Sequence, residues 1–164
     1  MAEKIGWPLD VNRIRGKNKD AQMRNTYGPV RKNSAGKVRV HQGWDFAADL
    51  GTPCYAVADG KVADVYNQQD YGKVLVISFP FKGKTIYAAY AHLSQVLVNV
   101  GDTITLGQMI AKSGESGNAS GMPAAERHLH FEVRYIVRPG KGLDKRESPA
   151  LIFGHAPWDV IERT

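Results

Sequence analysis

The stretch that decides the fold is E-R-H-L-H-F-E-V-R, residues 126–134, a strand-like pattern with two histidines one residue apart. Successive side chains of a β-strand point to opposite faces, so residues two apart share a face and lie roughly 7 Å apart along the strand. His128 and His130 should therefore converge on one point. Either the pair lies on the solvated face of a half-buried strand, or other parts of the chain complete a site around it.

Patterns of strand length recur along the chain from residue 54 to residue 137 and include this stretch. Each is rich in Val, Ile and Tyr and is bounded by Gly, Asp, Asn or Pro. They are CYAVADGKVADVY (54–66), KVLVISF (73–79), TIYAAYAHL (85–93), VLVNVGDTI (96–104), MIAKSG (109–114) and HLHFEVRYIV (128–137). Only SPALIFGH (148–155) is suited to a turn or two of helix. We predict an all-β fold, a curled antiparallel sheet with little helix.

The bulk composition is that of an ordinary globular protein. With 164 residues, 43% of them hydrophobic, the chain is long enough for one domain with its own core, and we expect a single domain over 1–164. The one cysteine, Cys54, excludes an internal disulfide and a cysteine-rich zinc site. It lies in an apolar run, where we expect a buried thiol and no catalytic nucleophile. Any metal must be held by histidine and carboxylate.

Charge is unevenly distributed along the chain. The net charge is +6, and residues 1–40 contain ten Lys and Arg but three Asp and Glu. This basic amino-terminal region is either a solvated surface or a region that attracts an anionic cell envelope; nucleic acid is not expected, because aromatic residues are not interleaved with the basic ones. Neither a signal peptide nor a run of about 18 apolar residues is recognisable, so we expect synthesis in the cytoplasm and no membrane span.

A second group of metal-ligand residues lies in HQGWDFAADLGTP, residues 41–53. An irregular glycine-containing turn could bring His41 and Asp45 onto one metal, and strict strand alternation would also put them on one face. Together with one member of the His128/His130 pair they make two histidines and one aspartate, a set typical of catalytic zinc with water in the fourth position. The other member of the pair and His92 are then available for proton transfer and for stabilising an oxyanion.

Three further residues have less specific surroundings. Glu132 shares a face with His128 and His130 in a regular strand, so it either orients a metal ligand or pairs with a neighbouring cation. Trp44 is expected to pack beside the site. His155 has no partner motif and is expected at the surface or in packing.

Several motifs, in the same order, resemble the M23 family of zinc metallopeptidases, the lysostaphin/LytM-type peptidoglycan endopeptidases. HQGWDFAADLGTPCYAVADGKV is similar to the family's H-x-G-x-D-x-A-x-x-x-G-T-P-V-x-A-x-x-D-G-x-V, and HLHFEVR to its H-L-H-F-E. YAAYAHLSQVLVNVGDTITLGQMIAKSGESG resembles its Y-x-H-L and glycine-rich series, and WPLD and NTYGPVR resemble its upstream segments. The resemblance covers about residues 6–137 and leaves 138–164 as a carboxyl-terminal tail.

The resemblance implies one Zn²⁺ ion held by His41, Asp45 and His130, with His92 and His128 as catalytic histidines that do not bind the metal. It implies a monomeric endopeptidase acting on peptidoglycan peptides, and we expect a phage lysis enzyme or an exported antibacterial wall hydrolase. SGNASGMPAAER, 116–127, departs from the family pattern, and the loop 113–127 should form a wall of the substrate groove.

Two other functions compete with the endopeptidase. Non-catalytic LytM-like activators of cell-wall amidases typically lack one or more ligands, whereas all five polar positions are present here. VNVGDTITLGQMIAKSG, 98–114, also resembles half of a biotinyl or lipoyl carrier domain. In that interpretation Lys61 would have to be the attachment point of the biotinyl or lipoyl group, but it lacks the flanking Met or Ala that is usual there. A carrier would also leave the histidines unexplained.

Overall fold

Strands dominate the computed structural model, which describes residues 4–163. The ends of the predicted 1–164 domain, residues 1–3 and 164, lie outside this range. The strands are β1 Val11–Asn12, β2 Gly28–Lys32, β3 Val38–His41, β4 Trp44–Ala47, β5 Pro53–Tyr55, β6 Gly60–Gln68, β7 Gly72–Phe81, β8 Lys84–Val96, β9 Thr103–Ile104, β10 Met109–Ser113, β11 His128–Arg134, β12 Arg146–Glu147 and β13 Ile161–Glu162. The helices are α1 Lys19–Met23 and α2 Ala150–Phe153, with 3-10 turns at Gly117–Ala119 and Ala124–Glu126.

The main sheet is antiparallel and has the order β12-β11-β8-β7-β6-β9. β11 lies inside it: β8 pairs along one edge, while β4 and then β12 pair along the other. β10 joins β5 to the far end of β8. The prediction of an all-β curled antiparallel sheet is therefore confirmed, and β11, the strand with the two histidines, is paired on both sides.

β8 changes partner in the middle of its length, at His92. Residues 87–91 pair with β11, whereas residues 93–96 pair with β10. At the switch His92 has a φ of 58°, in the left-handed region, and its N–H donates to the carbonyl of Tyr71 at 2.8 Å. A residue other than glycine in this region costs about 1–3 kcal/mol and is found most often at functional sites.

The carboxyl-terminal residues, expected as a tail, pack onto the core. The Phe153 ring of α2 stacks on Trp7 with ring centroids 4.4 Å apart and also lies against Trp44 and Phe131. β13 pairs with β1, so both ends of the described chain close the same side of the structure. Trp44 is a buried packing residue, as expected.

Cys54 is fully buried, in agreement with the sequence analysis. Burial disfavours the charged thiolate and raises the pKa of the thiol to about 12. The thiol is therefore protonated at neutral pH and unsuited to nucleophilic chemistry.

Two local expectations were wrong. Within VLVNVGDTI, residues 97–102 form a turn, in which Gly101 has a φ of 91° and the N–H of Asp102 donates to the carbonyl of Asn99. Helix α1 was not predicted, because its five residues are too few for an amphipathic pattern. Asn18 caps the amino terminus of α1, because its side-chain oxygen accepts a hydrogen bond from the Ala21 N–H at 2.9 Å. Among residues 4–163, no helix is long and apolar enough to cross a membrane.

Gly43, directly before β4, allows β4 to lie close to β11. A Cβ atom at this position would lie 2.1 Å from the Phe131 carbonyl oxygen and 2.9 Å from Cγ of Glu132. Gly43→Ala should therefore displace β4 and lower the free energy of unfolding by about 1–3 kcal/mol, the usual cost of overpacking. Urea denaturation measures this change. Gly140→Ala is the matched control, because a Cβ there meets nothing within 4 Å; equal stability of the two variants would contradict the argument.

Candidate metal centre and active site

The three predicted metal ligands come from three strands, β3, β4 and β11. His41 ends β3 and Asp45 lies on β4, after the turn at Gln42 and Gly43, so the glycine-containing turn is the geometry present. The antiparallel register of β4 and β11 places Asp45 directly opposite His130. His41 Nε2 lies 3.1 Å and His130 Nδ1 lies 2.8 Å from the same Asp45 oxygen, Oδ1.

Both histidines are oriented through their second ring nitrogen. His41 Nδ1 donates to the Thr26 carbonyl at 2.8 Å, and His130 Nε2 lies 2.8 Å from Oε2 of Glu132. The ligand atoms of His41, Asp45 and His130 all lie within 4.8 Å of one another, and all three residues are buried. Two imidazole nitrogens and one carboxylate oxygen, with oxygen acceptors behind the imidazoles, are the donor set of a catalytic zinc site.

Glu132 combines the two roles that the sequence left open. It contacts His130, and it also accepts hydrogen bonds from Arg134 Nε at 2.8 Å, Arg146 Nε at 2.7 Å and the Tyr71 hydroxyl. Burial alone would raise the pKa of Glu132, but the positive charges of His130, Arg134 and Arg146 outweigh this effect and lower it. The buried carboxylate thus stays charged beside a metal ligand.

The site favours a positive charge at His130. Burial tends to lower the pKa of this imidazole, but Asp45 and Glu132 on its two sides outweigh burial and raise the pKa to about 9. The two carboxylates thus favour a cation at Nδ1 of His130, a position for which a proton and a metal ion would compete.

The second oxygen of Asp45 is held by residues that the sequence analysis missed. Arg15 Nη2 lies 3.0 Å and Arg31 Nη2 lies 3.2 Å from Asp45 Oδ2. Asn25 Oδ1 accepts from both guanidinium groups at 3.0 Å and fixes their position. Asn25 and Arg31 are the first and last residues of the segment NTYGPVR that resembles the family, whereas Arg15 lies outside the quoted motifs.

The histidines around Asp45 keep its carboxylate ionised. Burial would raise the pKa of this carboxyl, but the neighbouring imidazoles of His41, His128 and His130 hold the pKa well below its usual value. A carboxylate that is charged at neutral pH is suited to bind a metal ion.

His92 and His128 make an edge-to-face contact in the groove, with ring centroids 5.0 Å apart. His92 Nδ1 lies 2.8 Å from the Ser116 carbonyl and His128 Nδ1 lies 3.0 Å from the Glu126 carbonyl. A carbonyl can only accept, so each Nδ1 carries the proton and each Nε2 is an acceptor in the neutral ring. Burial, with neighbouring positive charge, lowers the pKa of His92 to about 4 and lowers that of His128. Both rings are therefore neutral bases at neutral pH.

The five predicted residues line one cavity of about 580 Å³. Asn118 and Met122 also line it, so the loop 113–127 forms part of the groove wall, as predicted. Tyr71 lines the cavity as well, next to His130. His155 lies outside it, exposed and beside Trp7, in agreement with the expected surface or packing role.

The sequence and the structure are both similar to known cell-wall peptidases. The family model described as peptidase family M23 matches residues 39–145. A peptidoglycan DD-endopeptidase, ShyB of Vibrio cholerae, is 39% identical over 119 residues, which are 72% of this chain and 26% of that protein. The crystal structure of a zinc-containing peptidase from Vibrio cholerae superposes with a TM-score of 0.64 at 33% identity, covering 80% of this chain and 37% of that one.

The relatives also include a protein that is not named as an enzyme. The murein hydrolase activator NlpD of Salmonella dublin is 32% identical over 125 residues, which are 74% of this chain and 31% of that protein. The chain spans about a quarter to a third of the length of these curated relatives. The family model matches well over half of the chain, and the relatives act on peptidoglycan or activate its hydrolases. The chain therefore belongs to peptidase family M23.

Proposed function

We propose that this protein is a zinc-dependent endopeptidase that hydrolyses peptide bonds in the stem peptides or cross-links of peptidoglycan. The observation that supports it most strongly is the convergence of His41, Asp45 and His130 on one point, beside two neutral histidines in the same groove. Zinc held by these three residues would activate water and polarise a peptide carbonyl.

The histidines that do not hold the metal supply the proton transfers. Nε2 of His128 faces the groove, 3.8 Å from Asp45 Oδ2, and can take a proton from the attacking water. The same atom can then return the proton to the leaving amine. His92 Nε2 is also an acceptor in the neutral ring; if it takes a proton from water in the groove, the imidazolium formed can donate a hydrogen bond to the developing oxyanion. The carbonyls of Ser116 and Glu126 hold both rings with the proton on Nδ1, which leaves Nε2 of each ring free to accept a proton.

An activator of cell-wall amidases is the second candidate, since a relative carries that name. The complete set of ligand and proton-transfer groups favours the enzyme. Synthesis in the cytoplasm, action on the cell wall, a monomeric state, and a role in phage lysis or antibacterial attack stay predictions.

Metal removal tests the function directly. Treatment with a chelator should abolish release of peptides from purified sacculi, and one equivalent of zinc should restore it, because the donor set fits zinc and the proton-transfer groups stay in place. Chromatography of released muropeptides with mass analysis measures the effect and identifies the bond cut. Activity that survives complete zinc removal would contradict the proposal. Release seen only after addition of an amidase would indicate the activator instead.

Single substitutions should separate metal binding from turnover. His41→Ala, Asp45→Ala and His130→Ala should lose zinc and activity together. His92→Ala and His128→Ala should keep zinc but lose about 10²–10⁴-fold in turnover, the usual contribution of a general acid or base. Metal analysis of dialysed protein and a peptide cleavage assay measure the two properties. His155→Ala is the control and should retain both; a fully active His128 variant would remove that residue from the mechanism.

Glu132→Gln should weaken zinc binding by about 10–100-fold, the typical effect of removing the partner of a ligating histidine. The variant also leaves Arg134 and Arg146 without their shared counter-charge, so its midpoint of thermal unfolding should fall. Competition with a chromophoric chelator measures the affinity. Glu147→Gln, on β12 but not in contact with a ligand, is the matched control. Unchanged zinc affinity in Glu132→Gln would show that this carboxylate only supports the fold.

A further inference from the structure

A second cavity, of about 740 Å³, lies next to the groove. Its volume is within the range of sites that bind small molecules or peptide segments. The two cavities share three lining residues, Arg15, Arg31 and Arg39. A substrate in the groove can therefore extend into the second cavity past these arginines. We call this second space the basic cavity.

The lining of the basic cavity is strongly positive. Besides the three shared arginines it includes Arg13, Lys17, Arg24 and Lys32. Glu126 is its one acidic lining residue, and that carboxylate is bound to Arg15 at 3.2 Å. Within residues 4–163, no carboxylate lies within ion-pair distance of the five cations Arg13, Lys17, Arg24, Lys32 and Arg39.

The strand pair β2–β3 places two positive charges side by side in the lining of the basic cavity. Arg31 and Arg39 lie directly opposite each other in its register. Like charges in this position repel each other. Burial and the nearby positive charges of Arg15 and Arg39 lower the pKa of Arg31, although Asp45 opposes the shift. An anion bound between the guanidinium groups would relieve this repulsion.

The wall formed by residues 16–24 is anchored rather than loose. Gln22 of α1 is buried, and its side-chain amide donates to the carbonyls of Ile14 at 2.8 Å and Trp158 at 2.9 Å. Gly16 lies so close to this helix that a Cβ would be 2.6 Å from the Gln22 N atom. Lys17 lies before α1 in the sequence and Arg24 directly after it, so the anchored helix holds both residues at the cavity.

We propose that the basic cavity binds free carboxylate groups of the substrate peptide next to the bond that is cut, so that the enzyme selects acidic stem peptides over their amidated forms. The inference rests on the proposed function. Guanidinium groups bind carboxylates in a two-point geometry, and a low local density of counter-charge leaves them available. We expect the bound carboxylate to belong to the substrate peptide. Two of the arginines that line both cavities, Arg15 and Arg31, also contact Asp45 in the groove, so the basic cavity lies directly beside the bond that is cut.

The test compares two cross-linked peptides of one sequence, with all their carboxylates either free or amidated. The zinc-loaded native enzyme should cleave the free acid with about tenfold higher kcat/KM at low ionic strength, and the ratio should shrink at high salt. In Lys17→Gln/Arg24→Gln/Lys32→Gln the ratio should fall below about twofold, while cleavage of the amidated peptide stays unchanged. None of these three side chains contacts the metal ligands or the catalytic histidines.

A variant with the same loss of charge elsewhere, Lys61→Gln/Lys84→Gln/Lys112→Gln, is the matched control and should keep the native preference. Loss of the preference in this control as well would overturn the proposal, since net charge alone would then explain it. An undiminished preference in the Lys17/Arg24/Lys32 variant would also overturn it. If that variant instead loses binding to a poly(glycerol phosphate) polymer while its peptide preference is unchanged, the cavity takes phosphate and the proposal is wrong.

Calorimetry with zinc-loaded His128→Ala separates this inference from the proposed function. Tighter binding of the free-acid peptide, with cleavage of neither peptide by the native enzyme, would refute the endopeptidase but support the cavity. Cleavage of both peptides at equal rates, with equal binding, would support the endopeptidase and refute the cavity.

Discussion

The carboxylate of Asp45 is the group on which the arrangement of the site depends. One of its oxygens lies between His41 and His130, and the other is held by Arg15 and Arg31. A buried carboxylate without such partners would be costly, because burial disfavours its charge. The partners come from four separate parts of the chain, so the contact joins the amino-terminal segment, the strand pair β2–β3 and β11 at one point.

Charges alternate outward from this point. The carboxylates of Asp45 and Glu132 lie on the two sides of His130, and each is in turn bound by two arginines: Arg15 and Arg31 for the first, Arg134 and Arg146 for the second. Networks of this kind hold ligand rings in one orientation and keep carboxylates ionised. Nδ1 of His92 and Nδ1 of His128 each contact a backbone carbonyl, and burial keeps both rings neutral. His130, between two carboxylates, therefore favours a neighbouring cation, whereas His92 and His128, beside carbonyls, are suited to accept a proton.

Much of the fold could be predicted because strands with one buried face have a period of two. The runs 73–79, 85–93, 109–114 and 128–137 all contain strands in the structure. The expectation failed at 97–102, where apolar residues lie in a turn, since periodicity cannot distinguish a short strand from an apolar loop. Helix α1 escaped prediction because five mostly polar residues carry no periodic signal, and one of the two carbonyls that anchor its Gln22 belongs to Trp158, far away in sequence.

The sequence by itself determined the chemical inventory: five polar residues in a recognisable order, an uneven positive charge and a pattern of short strands. The tertiary structure decided which atoms face each other. Only the register of β4 and β11 puts Asp45 opposite His130, and only the switch of β8 at His92 brings that ring to His128. It also decided that the basic amino-terminal residues line a cavity beside the site. The physical reason is that strand periodicity is local, whereas register, ring orientation and charge clustering arise from contacts between residues far apart in the chain.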